Sequence, residues 1–495
     1  MGIRIDKEHF DRADHARFAR RLEENLAALR LLLARPGFGD GPTTLGAELE
    51  VSVVDAAMNP CQLDRRVLAE HPDPQVQLEL DRFNLEYNMP PIQASGAPFS
   101  KLRTQTQAAL DSLDRMVSSQ GGHAVPIGIL PTLQESDLTS SALTDLPRYR
   151  ALSAAIRGLR QAPFEVCISG AQPLTIRCDD VTLEGAATSF QLHLRVAPRD
   201  YARAYNAAQL ATPLALVVAA NSPLFLGHRL WEETRIALFK QAVDSREHAS
   251  SDWRPPARVS FGHGWVRDGA YELFAETAAL FPTLLPISTG QNALELAHGG
   301  SLPDLAELRL HQSTVWRWNR AIYDPSAGGH LRIELRALPS GPTPIDMAAN
   351  AAFTLGLTMG LAAQLDWMLH ALPFEYAHYN FYRAAQFGLR AQLLWPTRAE
   401  PSPRVCDARE LALSLLPTAE EGLHALGVDE DEARVMLAVV RARLETGITA
   451  ARWQMRMLQR LEAQLGPREA LAALVQRYLT EASTGKAVHE WSHAP

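Results

Sequence analysis

Glu48 and Glu50, in Thr-Leu-Gly-Ala-Glu-Leu-Glu-Val-Ser-Val-Val-Asp, are the residues whose type and spacing most directly suggest chemistry. The alternation from Leu45 to Val53 reads as a strand, with both glutamates on one face and Leu49, Val51 and Val53 on the other. Like charges two residues apart on one face repel unless water or a cation separates them. A hard divalent ion is the natural cation for carboxylate oxygens. A solvated edge strand shows the same alternation, so the pair gains meaning only through recurrence.

It recurs. Glu79/Asp81, Asn84/Glu86, Gln191/His193 and Glu334/Arg336 each place polar groups two residues apart among apolar neighbours. On one antiparallel sheet these segments would form a concave acidic wall. Such a wall suits two or three Mg2+ ions, with Mn2+ as an alternative, and leaves room for phosphate oxygens. Arg336 beside Glu334 suits an anionic ligand lying over the metals. Glu79 and Asp81 read more simply as solvated charges.

The elements that must position this wall are legible in outline. Residues 6–34 have helical spacing, with Phe18, Leu22, Leu26, Leu29 and Leu33 as the stripe. The Pro36–Pro42 segment reads as a turn, because no Walker lysine follows its glycines. A second polar strand spans 77–88 and stops at Pro90 and Pro91, and a helix over 101–120 buries Leu102, Ala109, Leu113 and Met116. Short strands are expected over 125–130 and 189–196. An apolar helix over 205–220 ends at Asn221-Ser222-Pro223, a natural helix stop. A strand over 331–338 precedes a Pro-Ser-Gly-Pro turn and a long apolar helix from Met347. Asn350 and Gln364 make that helix a buried one rather than a membrane span. After the Pro-rich stretch 395–403 the chain turns to helix formers, with Gly447 the main interruption between Glu430 and Leu465. Mixed strands and helices without βαβ spacing indicate an α+β fold.

Bulk properties narrow the function. A length of 495 residues favours two or three structural units, and a net charge of −8 gives no footprint for nucleic acid. Cys61, Cys167, Cys178 and Cys406 lack zinc-like spacing and read as reduced thiols. Arg4, Asp6, Lys7, Glu8 and Asp11 leave no apolar core for a signal peptide, so a cytoplasmic protein without a membrane partner is expected. The aromatic and basic run from His311 to Arg320 reads as a ligand-facing wall, with Trp packed under Arg as the structural alternative.

Leu-Gly-Ala-Glu48-Leu-Glu50, Asn84-Leu-Glu86, Gln191-Leu-His193, Ala-Asn221-Ser222-Pro223 with Gly227 and Arg235, and Ile-Glu334-Leu-Arg336 occur in this order between residues 43 and 370. Together they resemble the glutamate–cysteine ligase superfamily, in particular its bacterial carboxylate–amine ligase branch. The resemblance implies a glutamine-synthetase-like antiparallel sheet forming a funnel-shaped active site, flanked by helices. A catalytic domain is expected over 1–400, with the family motifs at 43–370, and the change in composition sets off a helical C-terminal region at 401–495. The resemblance also implies ATP-dependent amide formation through an acyl phosphate, with glutamate as the acid and cysteine as the default amine, as in glutathione biosynthesis. ATP and amino acids would be the partners, and a homo-oligomer is compatible. By resemblance, Glu48, Glu50, Glu86, His193 and Glu334 are metal ligands, and Glu50, Arg235 and Arg336 are catalytic. Gln191, Arg195, Arg235, Trp316, Arg320 and Arg336 would contact substrate or nucleotide. Arg148-Tyr149-Arg150 resembles an Arg-Tyr element of the branch.

Each residue has a plainer reading. His193 would serve as a satisfied sheet histidine, and Arg235 would pair with Glu232 or Glu233 on a helix surface. The branch carries His-Val-His followed by Gly where this chain has Gln191-Leu-His193-Leu-Arg195, which adds a positive charge to the face of His193. A ligase for another acid and amine, and an inactive nucleotide-binding regulatory relative, stand as alternatives.

Overall fold

Period-two alternation becomes one antiparallel sheet in the structure, a computed structural model that describes residues 7–63, 68, 72–160, 162–246 and 255–494. Arg4 and Asp6 of the charged N-terminal stretch lie outside the described residues. The strands are β1 (Thr44–Val54), β2 (Val76–Leu78), β3 (Asn84–Gln93), β4 (His123–Val125), β5 (Phe190–Val196), β6 (Asn319–Asp324) and β7 (His330–Leu335). Their order is β6-β7-β5-β1-β3-β2, with β4 paired to the end of β1, and every pairing is antiparallel. The sheet is curled.

Register turns sequence alternation into a wall. Glu48 lies opposite Gln191 on one side and Asn88 on the other, and Glu50 lies opposite Glu86. Glu334 sits between His193 and Arg320. Leu45, Ala47, Leu49 and Val51 of β1 are buried on the opposite face.

Helices cover that apolar face. The main helices of the chain are α1 (Arg12–Ala34), α2 (Pro98–Ser118), α3 (Tyr201–Ala219), α4 (Arg235–Ala242), α5 (Pro344–Ala362), α6 (Leu416–Ala425) and α7 (Glu430–Thr446), with α8 (Ala450–Leu461) and α9 (Pro467–Ala482) packed in a second core. Tyr201 and Tyr205 anchor α3 to the sheet by donating to the Arg332 and Asn319 carbonyls, at 3.0 and 2.7 Å. Helix α5 is long and apolar enough to cross a membrane, yet 94% of its apolar window is buried in the protein, as its interruptions suggested. It packs on α6 by direct backbone approach: a Cβ on Gly422 would fall 1.9 Å from the Gly356 carbonyl oxygen. Leu416, Leu423, Val440 and Leu444 of the C-terminal helices share one core with Leu192 and Ile333 of the sheet.

Several boundaries differ from the sequence reading. Helix α1 starts at Arg12 because Asp11 and Asp14 form a capping box. The expected 77–88 strand breaks after Leu78 and resumes at Asn84, so Glu79 and Asp81 lie on a connection. Of the 125–130 strand, Val125 pairs within β4 and Ile129 makes an isolated antiparallel bridge to Ala187. Gly447 does interrupt the late helical stretch: at φ +67° it ends α7, and Thr449 caps α8.

Candidate active site

Two ligand clusters stand side by side on the polar face. Glu48, His193 and Glu334, from β1, β5 and β7, bring one ligand atom each to within 4.8 Å of one another, and Glu50, Glu79 and Glu86 do the same. Five of these six residues are the metal ligands expected from the sequence, and Glu79 is the addition.

In the first cluster, His193 Nε2 lies 2.9 Å from Glu48 and 3.8 Å from Glu334. Both ring nitrogens are buried and have no hydrogen-bond partner. A sheet histidine kept for structure would be satisfied. Arg320 clamps Glu334 in a bidentate pair at 2.5 and 2.9 Å, and Arg336 approaches it to 3.4 Å. Burial opposes ionisation of Glu334, but Arg320, Arg336 and His193 outweigh it and hold the carboxyl far below the usual range. Glu48 is likewise held low, with His193 and Arg336 overcoming burial and the repulsion of Glu334.

The second cluster has the opposite electrostatics. Burial and then the charge of Glu79 push Glu50 up to about 7. Burial followed by Glu48, Glu79 and Glu50 carries Glu86 well above the ordinary carboxylate range. Glu79 is raised too, chiefly by burial. Three converging carboxylates that resist ionisation are a site in want of a cation, and an all-oxygen donor set suits Mg2+ or Mn2+. The orphaned imidazole nitrogens beside Glu48 and Glu334 fit a second ion of the same class.

Next to these clusters is a cavity of about 30 Å3 lined by Glu50, Glu184, Ser189, Arg235, Trp318 and Arg336, with Ala187 and Phe239. Gln191 ties it together. Its Nε2 donates to Glu50 at 2.8 Å, and its Oε1 accepts from Arg336. The Ser189 amide holds the other Glu50 oxygen at 2.6 Å. Arg235 is 3% exposed and pairs with Glu233 at 3.1 Å, so that ion pair is internal rather than on a helix surface. Its Nε is buried without a protein partner.

Two expected ligand contacts fall elsewhere. Arg195 donates to the backbone carbonyls of Gly39 and Asp40, at 3.4 and 2.8 Å, and so pins the 36–42 turn instead of adding free charge to the wall. Trp316 is buried in the core, edge-on to Phe239, and the cavity is lined by Trp318 instead. Glu79 and Asp81 are not solvated charges. Glu79 completes the second cluster, while Asp81 is fully buried with neither oxygen hydrogen-bonded.

Sequence reasoning missed Glu184, which burial, Glu79 and Glu50 raise to about 8. It sits on a single helical turn, Thr182–Gly185, where no periodicity marks it. Its one signal is its place just before the polar strand β5. In the Arg-Tyr element, Arg148 stacks on Tyr149 at 4.9 Å and its charge eases ionisation of Glu79 and Glu184. Arg150 instead pairs with Glu8 at 2.7 Å. All four cysteines are free.

Among solved structures, the fold is similar to glutamate–cysteine ligase from Francisella tularensis in complex with AMP. The TM-score is 0.50 at 11% identity, over 92% of this chain and 91% of that one. Lower likeness extends to a bifunctional glutathione synthetase from Pasteurella multocida, with TM-score 0.44, 13% identity and coverage of 95% and 55%. It extends also to the complex between prokaryotic ubiquitin-like protein Pup and its ligase PafA, with TM-score 0.37, 10% identity and coverage of 89% and 72%. No curated protein matches the chain. The curled antiparallel sheet with helices behind it is the glutamine-synthetase-like α+β fold. Residues 44–477, which include every residue of both clusters, match the model of glutamate–cysteine ligase family 2, and the chain belongs to that family.

Proposed function

We propose that this protein is an ATP-dependent carboxylate–amine ligase that activates an amino-acid carboxylate as an acyl phosphate and passes it to an amine. Glutamate is the proposed acid and cysteine the proposed amine. The observation that carries the reading is the adjacency of the two ligand clusters to a cavity that presents Arg235 and Arg336. The AMP in the Francisella tularensis enzyme supports a nucleotide on this fold. A cytoplasmic location belongs to the proposal and accords with four free cysteines.

Glu48, His193 and Glu334 would hold one divalent ion, and Glu50, Glu79 and Glu86 another. Bound there, such ions would neutralise phosphate charge and favour in-line transfer. The chain's own groups do the rest. Arg336 is fixed by Gln191 and Glu334, so its guanidinium is oriented before an anion arrives. Arg235 sits across the same cavity, with a nitrogen free for a carboxylate or phosphate oxygen. Trp318 and Phe239 give the cavity apolar sides, which restrict water near a hydrolysable acyl phosphate. In the reaction a carboxylate oxygen takes the γ-phosphoryl group and ADP leaves. The neutral amine nitrogen then attacks the acyl carbon and gives up a proton, the bond from that carbon to the phosphate oxygen breaks, and inorganic phosphate departs with that proton.

The test is ADP and phosphate release from purified protein with Mg-ATP, glutamate and cysteine, followed by a panel of other acids and amines. Release that needs both substrates, with a γ-glutamylcysteine mass in the product, supports the proposal. Turnover with another pair keeps the mechanism and replaces the substrates. Absence of nucleotide binding overturns it.

A further inference from the structure

We infer that Tyr478 and Gln454, on the C-terminal helices α9 and α8, are positioning residues that hold Arg235 and Glu50 through Asn221. The kinetic consequence rests on the ligase reading above; the mechanical one does not.

Asn221 follows the end of α3 and is fully buried. Its Nδ2 donates to the Tyr478 hydroxyl at 2.8 Å and to the Ser340 carbonyl at 2.7 Å, while Oδ1 accepts from Gln454 Nε2 at 2.7 Å. The Tyr478 hydroxyl donates in turn to the Pro126 carbonyl at 2.7 Å. The amide is therefore locked in one orientation, with both donors used.

Two branches lead from Asn221 to the cavity. The Asn221 backbone amide donates to Glu233 Oε2 at 2.9 Å, and the Ser222 hydroxyl donates to Oε1 at 2.6 Å. Glu233 Oε1 is also the acceptor for Arg235 Nη1, at 3.1 Å. On the second branch, the Ser340 hydroxyl donates to the Glu50 backbone carbonyl at 2.5 Å. One asparagine thus braces the guanidinium on one side of the cavity and the backbone that carries Glu50 on the other. There is no slack at the tyrosine: a Cβ on Gly341 would lie 2.8 Å from its hydroxyl.

Arg235 depends on this bracing because Glu233 and the Ala337 carbonyl hold it through Nη1 alone. A small shift of Glu233 would swing the remainder of the guanidinium. The Asn-Ser-Pro segment is thus more than a helix stop, and the C-terminal helices become part of the site's support.

Tyr478→Phe keeps the ring and removes the hydroxyl, and Gln454→Met removes the second contact to Asn221. Trp491→Phe is the control, because Trp491 packs edge-on against Tyr478 at 5.2 Å without touching Asn221 through any hydrogen bond. Amide hydrogen exchange over residues 219–236 and steady-state kinetics with glutamate are read for all three. Tyr478→Phe and Gln454→Met are expected to speed exchange there and raise the KM for glutamate about tenfold with Mg-ATP affinity unchanged, whereas Trp491→Phe only lowers Tm. An equal KM rise in the control, or unchanged KM despite faster exchange, overturns the inference. If the wild type joins no acid to any amine, the ligase reading fails, and exchange alone decides. Unchanged exchange in Tyr478→Phe then overturns the positioning role.

Discussion

Glu48 Oε1 and His193 Nε2 lie 2.9 Å apart across neighbouring strands, while both imidazole nitrogens lack a hydrogen-bond partner. With Glu334 close by, this carboxylate and imidazole converge as a donor set that suits a divalent cation. His193→Ala is expected to weaken Mg2+ binding about ten- to a hundredfold and to leave the circular dichroism spectrum unchanged. Calorimetric titration of Mg2+ into the nucleotide-bound protein checks it. Unaltered affinity would return His193 to a structural role.

The raised carboxyls of the second cluster and of neighbouring Glu184 set a pH dependence whose sign is fixed. Glu50 at about 7 and Glu184 at about 8 keep their protons in the folded chain where the unfolded chain has released them. Their contribution to stability is present below the ordinary glutamate range and is lost as pH rises through about 7 to 8. Glu48 and Glu334 are shifted downward, so their contribution is lost only on acidification below that range. Metal-free protein is therefore expected to melt at a lower temperature at pH 8.5 than at pH 5.5. Added Mg2+ should reverse the loss at pH 8.5 by binding the ionised folded state. Differential scanning calorimetry in a chelator, then in excess Mg2+, decides the matter.

Glu50→Gln and Glu79→Gln should separate function from stability. At pH 8.5, where the trio is forced to ionise, each removes one charge from it, so each is expected to raise the Tm of metal-free protein there. Each should also lower Mg2+-dependent turnover by orders of magnitude, because a carboxylate ligand is gone. Normal turnover in either variant would remove that residue from the metal set.

The contrast between Glu50 and Glu79 shows what the sequence could convey. Glu48, Glu50, His193 and Glu334 lie on regular strands, where period two alone assigns each side chain to a face. Glu79 follows the end of β2 and Glu184 sits on one helical turn, so no period predicts their direction. Long-range closure of the sheet brings both to Glu50. Trp316 and Trp318 share a parity, yet only Trp318 reaches the cavity. The difference lies in the short parallel bridge of Trp316 to Val259, a contact between segments far apart in sequence. Arg195 lies on the expected strand, but its length lets it reach the carbonyls of the 36–42 turn.

Arg320 is the main group that favours the ionised form of buried Glu334. Glu334 is 2% exposed, and its two oxygens accept the two arms of the Arg320 guanidinium. Arg320→Ala leaves a buried carboxylate with only Arg336 at 3.4 Å and His193 at 3.8 Å, and is expected to cost about 3–5 kcal/mol of stability. Arg320→Lys restores charge but not the planar two-armed contact, and should recover only part of that loss. Glu334→Gln in the Arg320→Ala background removes the stranded charge, so the double variant should be more stable than Arg320→Ala alone. Urea unfolding of the wild type, Arg320→Ala, Glu334→Gln and the double variant gives the coupling directly. Additive effects would mean that Glu334 is held by the rest of the wall and that Arg320 is free to face the nucleotide.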